Sequence, residues 1–314
     1  MDDQYSDFYL GFYELFQGRR TARGTEDGGC VREPVPIESF IKHLDGHQGL
    51  GIYPMEMRDN EWVVRWGCVD LDVKAPHKRR WDYETSEDAW VAALNLQSVL
   101  DALDITAWIE NTKSGGFHVW IFAGSWVPAA VMRRCLLVAC SVADVPPTEV
   151  NPKNEGFDSP DTLGNYVRLP YFGAADGRIN RPVLDPLTRI PYGWLEFVDE
   201  AMHGRARLET ISAVADLWRP PAPTAPVVPS RRDYHVPAGV MSRRLQAVVE
   251  NGPLRQEDRS GWLYYVARLC ADDGLPMGEA CAIVSLCDDL HTHKFTGRND
   301  GPTRIARTVE KAYQ

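Results

Sequence analysis

Apolar residues recur along this chain in two rhythms. From Ser6 to Phe16 they fall at Phe8, Tyr9, Phe12, Leu15 and Phe16, one side of a helix that breaks at Gly18 into the basic turn FQGRRTARG. A short helix is expected over 36–44, behind Pro34 and Pro36. Two strands come next, GLGIYPM (Gly49 to Met55) and EWVVRWGCVDLDV (Glu61 to Val73), joined by a turn at Arg58 to Asn60. VAALNLQSVLDAL returns to helical spacing, with Val91, Leu94, Leu100 and Leu103 apolar and Thr85 or Ser86 as the cap. TAWIENT reads as a strand, Ser114 to Gly116 as a turn, and HVWIF as the hairpin partner. Beyond them come a helix over Pro128 to Val142, a short strand in PTEVNPK and a polar loop from Asn154 to Gly164. YVRLPYF succeeds it, then a polar hairpin region to about Trp194 and a helix from Leu195 to Met202 that closes the domain.

The pattern then changes. WRPPAPTAPVVPS (Trp218 to Ser230) has no apolar periodicity and is rich in proline, the composition of an extended, semi-rigid linker. The remaining residues are helix broken by Gly and Pro: MSRRLQAVVEN, SGWLYYVARLCADDG, PMGEACAIVSLCDDL and PTRIARTVEKAY. The expected organisation is a catalytic domain over 1–219, a Pro-rich linker over 220–238 and a small all-α domain over 239–314. Strands and helices that alternate without βαβ regularity make the first domain α+β, around a mixed central sheet.

Composition narrows the class. The chain has 314 residues, 44% of them hydrophobic and 25% charged, as in an ordinary globular protein. No apolar run is long enough for a membrane span, and the acidic start, MDDQYSDFYLGFYELF, is unlike a signal peptide. Seven cysteines without CxxC spacing argue against a zinc module and for a reducing, cytoplasmic compartment. A net charge of −10 counts against non-specific coating of nucleic acid. Local basic clusters occur at Arg19, Arg20 and Arg23; Lys78 to Arg80; Arg133 and Arg134; Arg231 and Arg232; and Arg243 and Arg244. Each reads as a solvated surface group, and the Lys78 cluster, close behind Asp72, is the one expected near a polyanionic ligand.

Two fragments carry chemistry. In Cys68 to Val73 the alternation sets Asp70 and Asp72 on one face of a strand, where two carboxylates repel unless a cation lies between them. Mg²⁺ takes one or two carboxylates and completes its shell with water and phosphate oxygens. In SGGFH, Gly115 and Gly116 let backbone N–H groups approach an anion, while Ser114 and His118 bring a hydroxyl and an imidazole to the same place. Acidic metal ligands beside a phosphate-contacting turn are the parts of a nucleotidyl-transfer site.

With GNYVRLPYFG at Gly164 to Gly173, these fragments resemble the archaeo-eukaryotic primase superfamily, and within it the primase-polymerases of phages, plasmids and mobile defence systems. That family carries hydrophobic-Asp-x-Asp, then Ser-x-His or Ser-Gly-x-x-His, then a third acid near an Arg/Asn-Leu-Pro segment. Here they read VDLD, SGGFH and, less cleanly, TEVNPKN followed by GNYVRLPYFG. The resemblance covers roughly the first two-thirds of the chain. It implies a core related to RNA-recognition-type sheets and a C-terminal helical domain of the primase-associated kind. It also implies a two-metal site for Mg²⁺ or Mn²⁺, held by Asp70, Asp72 and Glu149, with Asp158 as the alternative third acid; Glu155 and Asp161 read as surface acids. His118 completes the catalytic set. Ser114, Gly115, Gly116, His118, Lys153, Arg168 and Asn165 would bind the nucleotide, although for Arg168 a structural salt bridge weighs equally. Tyr166 lies beside them and reads as strand packing.

The activity so implied is template-dependent primer synthesis and extension from NTPs or dNTPs on single-stranded DNA, in the replication of a phage or mobile element. The implied partners are the template, the nucleotides and a replicative helicase or other replication proteins, in the cytoplasm of a bacterial host or phage-infected cell. Two other classes compete. A DxD glycosyltransferase would explain Asp70 and Asp72 but leaves SGGFH and RLP unused. A single-strand-binding module would use the ten tryptophans for stacking, yet has no need of the carboxylate pair. His291 and His293, in HTHKF, have no cysteine at zinc-finger distance and read as polar loop residues.

Overall fold

A computed structural model describes residues 6–74, 82–178, 180–219, 241–253, 259–296, 298 and 300–313. The chain divides into two compact units, Met1–Arg219 and Pro220–Gln314. The first is α+β and the second is helical. The proline-rich linker and the clusters Lys78 to Arg80 and Arg231 to Arg232 lie outside the described residues. Among the described residues no helix is long and apolar enough to cross a membrane.

In chain order the first unit contains α1 (Ser6–Leu15), β1 (Arg23–Gly24), β2 (Cys30–Val31), α2 (Ile37–Leu44), β3 (Gly51–Ile52), β4 (Glu56–Arg58), β5 (Glu61–Leu71) and α3 (Ser86–Ala102). Then come β6 (Ala107–Asn111), β7 (Phe117–Pro128), α4 (Ala129–Val142), β8 (Val150–Asn151), β9 (Val167–Arg168), β10 (Val183–Leu184), α5 (Trp194–His203) and α6 (Leu208–Ala215). The described strands form a large sheet in the order β10–β6–β7–β5–β4, with β8 also on β5, and a small one in the order β2–β1–β3–β9. Their ladders are antiparallel, and parallel pairing enters through single bridges at Val73–Tyr83 and Ala123–Ala206.

The large sheet is covered on both faces. Val69, Leu71, Ile109, Val119 and Ile121 point into a core with α3, α4 and α6. The alternate residues Trp66, Cys68, Trp108, Trp120 and Phe122 point into a second, largely aromatic core with α1, α2 and α5. Trp66 and Trp120 are fully buried there, and each such side chain contributes about 1.5–3 kcal/mol or more through its burial. Period-2 alternation thus survives in β5 and β7 although both faces are apolar, because one face selects aliphatic and the other aromatic groups.

Two expectations need correction. The strand expected over Gly49 to Met55 is split: Gly51–Ile52 joins the small sheet, and Glu56–Arg58 pairs with β5 in the large one. Pro54, which lacks an N–H to donate, lies in the gap between them. The closing helix, α5, is followed by a further helix, α6, whose Ile211 and Val214 complete the core under α4.

In the second unit α7 (Arg243–Asn251), α8 (Arg259–Asp272), α9 (Met277–Cys287) and α10 (Gly301–Tyr313) surround Leu245, Leu263, Val266, Ile283, Val284 and Val309. HTHKF is structural. His291 shares a hydrogen bond of 2.7 Å with the Val249 carbonyl, and its ring meets Trp262 edge-on. The buried Asp288 carboxylate accepts from the backbone N–H groups of Lys294, Phe295 and Thr296, each at 2.8 Å, and so holds the turn before α10.

Candidate active site

At one end of β5 and β7 the two sheets part around a cleft of about 550 Å³. Asp70, Asp72, Ser114 and His118 line the side built by the large sheet. Glu149 and Lys153, which flank β8, line it as well, and Asn165, Tyr166 and Arg168 form the wall contributed by β9. Most of the residues singled out in the sequence therefore share one cavity. Asp158 is not among its lining residues: the neighbouring Phe157 carbonyl accepts a hydrogen bond of 3.0 Å from Trp62 Nε1, near the opposite end of β5. Glu155 is bonded by both its oxygens to Arg134, at 2.8 and 2.9 Å, which fits its reading as a surface acid.

Register explains the convergence. Asp70 on β5 is directly opposite His118 on β7, and His118 is directly opposite Glu110 on β6. The three share one row across three strands, on the aromatic face. Glu110 is fully buried, and one of its oxygens is 2.8 Å from His118 Nδ1 and 2.7 Å from Trp120 Nε1. A carboxylate only accepts, so Nδ1 carries a proton and Nε2 is directed toward Asp70, 3.7 Å away. Burial on its own would lower the pKa of His118. The charges of Glu110 and Asp70 outweigh it and raise the pKa to about 10, which makes the ring an imidazolium at neutral pH.

The turn before β7 depends on its glycines. Gly115 has φ +83, a conformation that other residues rarely adopt. A Cβ on Gly116 would stand 2.4 Å from the Leu71 carbonyl oxygen, so only glycine allows the turn to lie against the end of β5. The opposite wall is equally close-fitting: the Tyr166 ring covers Gly24 and Gly51, and its hydroxyl donates to the Thr25 carbonyl at 3.1 Å. Arg168 is half-buried, and its Nη2 donates to the Glu26 carbonyl at 2.9 Å. Among the described residues its hydrogen bond is to a backbone carbonyl and not to a carboxylate, and the residue lines the cleft.

Glu149 is tethered in two ways. The Glu149 carbonyl accepts from the Asp70 N–H at 3.0 Å, and the Glu149 side chain forms an ion pair with Lys153. Arg133 on α4 donates to the Val150 and Pro152 carbonyls, each at 2.9 Å, and so fixes the segment that carries both. Asp82 is a further acid beside the pair. Its carboxyl is held above the usual range by burial and by the charges of Asp72 and Asp70.

Among the described residues no three His, Cys, Asp or Glu side chains converge into a closed cation cage. Asp70, Asp72 and Glu149 are instead hard oxygen donors along an open wall, a set that fits Mg²⁺ or Mn²⁺ with phosphate oxygens completing the shell.

The sequence does not single out Glu110, Asp82, Arg133, Asn151 or Arg181 for this site. Only Glu110 leaves a local signal, as an acid on the same face as Trp108 directly after the apolar run Ala107 to Ile109.

Comparison with known families agrees with this geometry. Residues 25–182 match the family described as the archaeo-eukaryotic primase domain of TOTE conflict systems. No curated protein matches the chain. Primase domains of this kind are nucleotidyltransferase-type, act on nucleotides and nucleic acid, and generally use divalent metals. The match spans just over half of the 314 residues and contains the acid strand, the glycine turn and the RLP segment, so the chain belongs to the archaeo-eukaryotic primase family.

Proposed function

We propose that this protein is a template-dependent primase-polymerase that starts and extends chains from nucleoside triphosphates on single-stranded DNA. The observation that carries the reading is the shared cleft, in which the carboxylates of Asp70, Asp72 and Glu149 face the cations of Lys153, Arg168 and His118. Such a cleft suits a ligand that is both metal-bound and polyphosphorylated.

Asp70, Asp72 and Glu149 would hold Mg²⁺ or Mn²⁺. When bound, the cations neutralise charge on the reacting phosphate and favour ionisation of the attacking hydroxyl. The chain's own groups do the rest. Ser114 and His118 donate to phosphate oxygens, with the imidazolium aimed by Glu110. Arg168 offers a planar fork and Lys153 a point charge to the same oxygens. The wall at Asn165 and Tyr166 bounds the nucleoside. The family's description as a conflict-system domain supports a setting in conflict between genomes alongside replication of a phage or mobile element.

The test is incubation with labelled NTPs or dNTPs, Mn²⁺ or Mg²⁺ and single-stranded DNA. Products whose sequence is complementary to the template support the reading. Transfer to sugar acceptors, or binding of the strand without synthesis, would overturn it.

A further inference from the structure

The cleft does not stop at the glycine turn. A second lobe of about 390 Å³ adjoins it, and Glu26, Thr112, Lys113 and Arg181 line both. Arg181 stands at the seam. Its side chain is only 8% exposed, yet among the described residues its buried Nη2 makes no hydrogen bond, and the acid paired with it, Glu26, is 3.7 Å away. A buried guanidinium normally has its donors satisfied, because an unpaired one loses its hydration without compensation. The residue also has φ +48, a conformation that non-glycine residues keep only where the surroundings impose it.

The fold explains where this cation stands. The Asn111 N–H donates to the Pro182 carbonyl at 3.0 Å, which sets Arg181 beside the end of β6. In the order β10–β6–β7–β5, β10, into which Arg181 leads, is three strand spacings, about 14 Å, from the strand bearing Asp70. Ser114 and His118 lie between. A ligand whose reacting phosphorus is at the acids, and whose phosphates run past Ser114 and His118, therefore meets Arg181 with its far end. Beyond the seam the lobe offers the amides of Asn111 and Asn180, and among the described residues the cations that line it are Lys113 and Arg181 themselves.

We propose that Arg181, with Lys113, takes the terminal phosphates of the nucleotide and then the leaving pyrophosphate, and that the second lobe is the route by which pyrophosphate departs. The inference rests on the nucleotidyl-transfer reading. There a 3′-oxygen forms a bond to the α-phosphorus as its proton is lost to solvent. The bond from that phosphorus to the α,β-bridging oxygen breaks, and pyrophosphate carries the electron pair away. Arg181 meets the group on which that charge collects. Neutral amides beyond it let the product go rather than trap it.

The experiment is titration of the full chain with inorganic pyrophosphate in Mg²⁺, then pyrophosphate inhibition of nucleotide incorporation. Arg181→Gln should weaken pyrophosphate binding roughly ten- to a hundredfold, the scale of one lost charged hydrogen bond. Lys113→Ala, on a turn whose side chain packs into neither core, should weaken it less. Arg178→Gln, which removes an exposed cation paired with Asp176 and lining neither lobe, should change nothing. Titrations that superimpose for wild type and Arg181→Gln overturn the proposal. So does unchanged binding in Lys113→Ala, or an equal loss in Arg178→Gln. Arg181-dependent pyrophosphate binding by a protein that incorporates no nucleotide would sink the transferase reading and leave this anion site standing.

Discussion

Glu110 and His118 face each other across β6 and β7, and a single oxygen of Glu110 receives both His118 Nδ1–H and Trp120 Nε1–H. The ring therefore has one orientation available to it. His118→Ala should weaken nucleotide binding roughly ten- to a hundredfold. Glu110→Ala should cost about as much, and the double variant little more than either, because both remove the same directed donor. Glu110→Gln, which keeps an acceptor, should lose less. Nucleotide titrations on variants with matched melting curves check this, and strictly additive losses would show that the two act separately.

Asp70 and Asp72 are partly exposed, so the fold does not depend on them for packing. Asp70→Ala or Asp72→Ala should abolish priming and extension together, at least about a thousandfold, since metal-assisted charge stabilisation supplies several kcal/mol. Each variant should stay folded, and the Asp82 carboxyl, held up in part by their charges, should ionise more readily. Template-dependent synthesis surviving in the double variant with Mn²⁺ would remove these residues from the site.

The pair Glu149–Lys153 holds together two groups with separate expected duties. Both side chains are about one-third exposed, where such pairs are worth about 0–1 kcal/mol. Lys153→Met should therefore tighten Mn²⁺ binding only up to about fivefold while weakening nucleotide binding about tenfold. Opposite signs in two titrations distinguish this arrangement from a purely structural ion pair, which would move neither.

His43, which lines neither lobe of the cleft, gives a further pH dependence. Burial pushes its pKa down to about 4, while it accepts from the Leu50 N–H and bonds the Pro170 carbonyl. In the unfolded chain the value is about 6.5, so below that pH the unfolded state takes up a proton that the folded state refuses. Its contribution is full above about pH 6.5 and is lost as the pH falls toward 4, up to about 3 kcal/mol. Urea unfolding at pH 7.5 and pH 5 should show a drop about 2 kcal/mol larger in wild type than in His43→Gln.

Each unit has its own core, and the candidate chemistry lies in the first. Starting a chain requires two nucleotides and a template to be held at once, a larger entropic demand than extending a paired primer. A chain ending at Arg219 should extend primers measurably, while de novo synthesis falls roughly tenfold further. Assays of both activities, with folding checked by circular dichroism, decide the matter. Full-rate initiation, or loss of extension, would refute this division of labour.

The features legible in the sequence are the local ones. Asp70, Asp72, Ser114 and His118 belong to runs whose alternation and glycine turn fix their faces without reference to the rest of the chain. Glu110 is readable as a strand residue, but its partner is assigned only by the register of β6 on β7. Asp82 and Arg181 reach the site from segments with no motif, brought there by backbone pairing with Asp72 and Asn111. Asp158 and Glu149 both precede RLP, and spacing alone does not choose between them. The backbone pairing of Glu149 with Asp70 places Glu149 beside the cleft, while Trp62 holds the loop at Phe157 near the other end of β5.

The aromatic face of β7 carries His118, and its other face carries Val119 and Ile121 into the helical core. The strand is thus subject to a parity rule. Inserting or deleting one residue between Gly116 and Trp120 would send the imidazole into the aliphatic core and a valine into the cleft. Such a change would erase activity and folding together, leaving no inactive but stable intermediate. Changes by two residues keep parity, and the Thr112 to Gly116 turn is where they could be absorbed. Length variation among relatives of this chain should therefore come there in even steps.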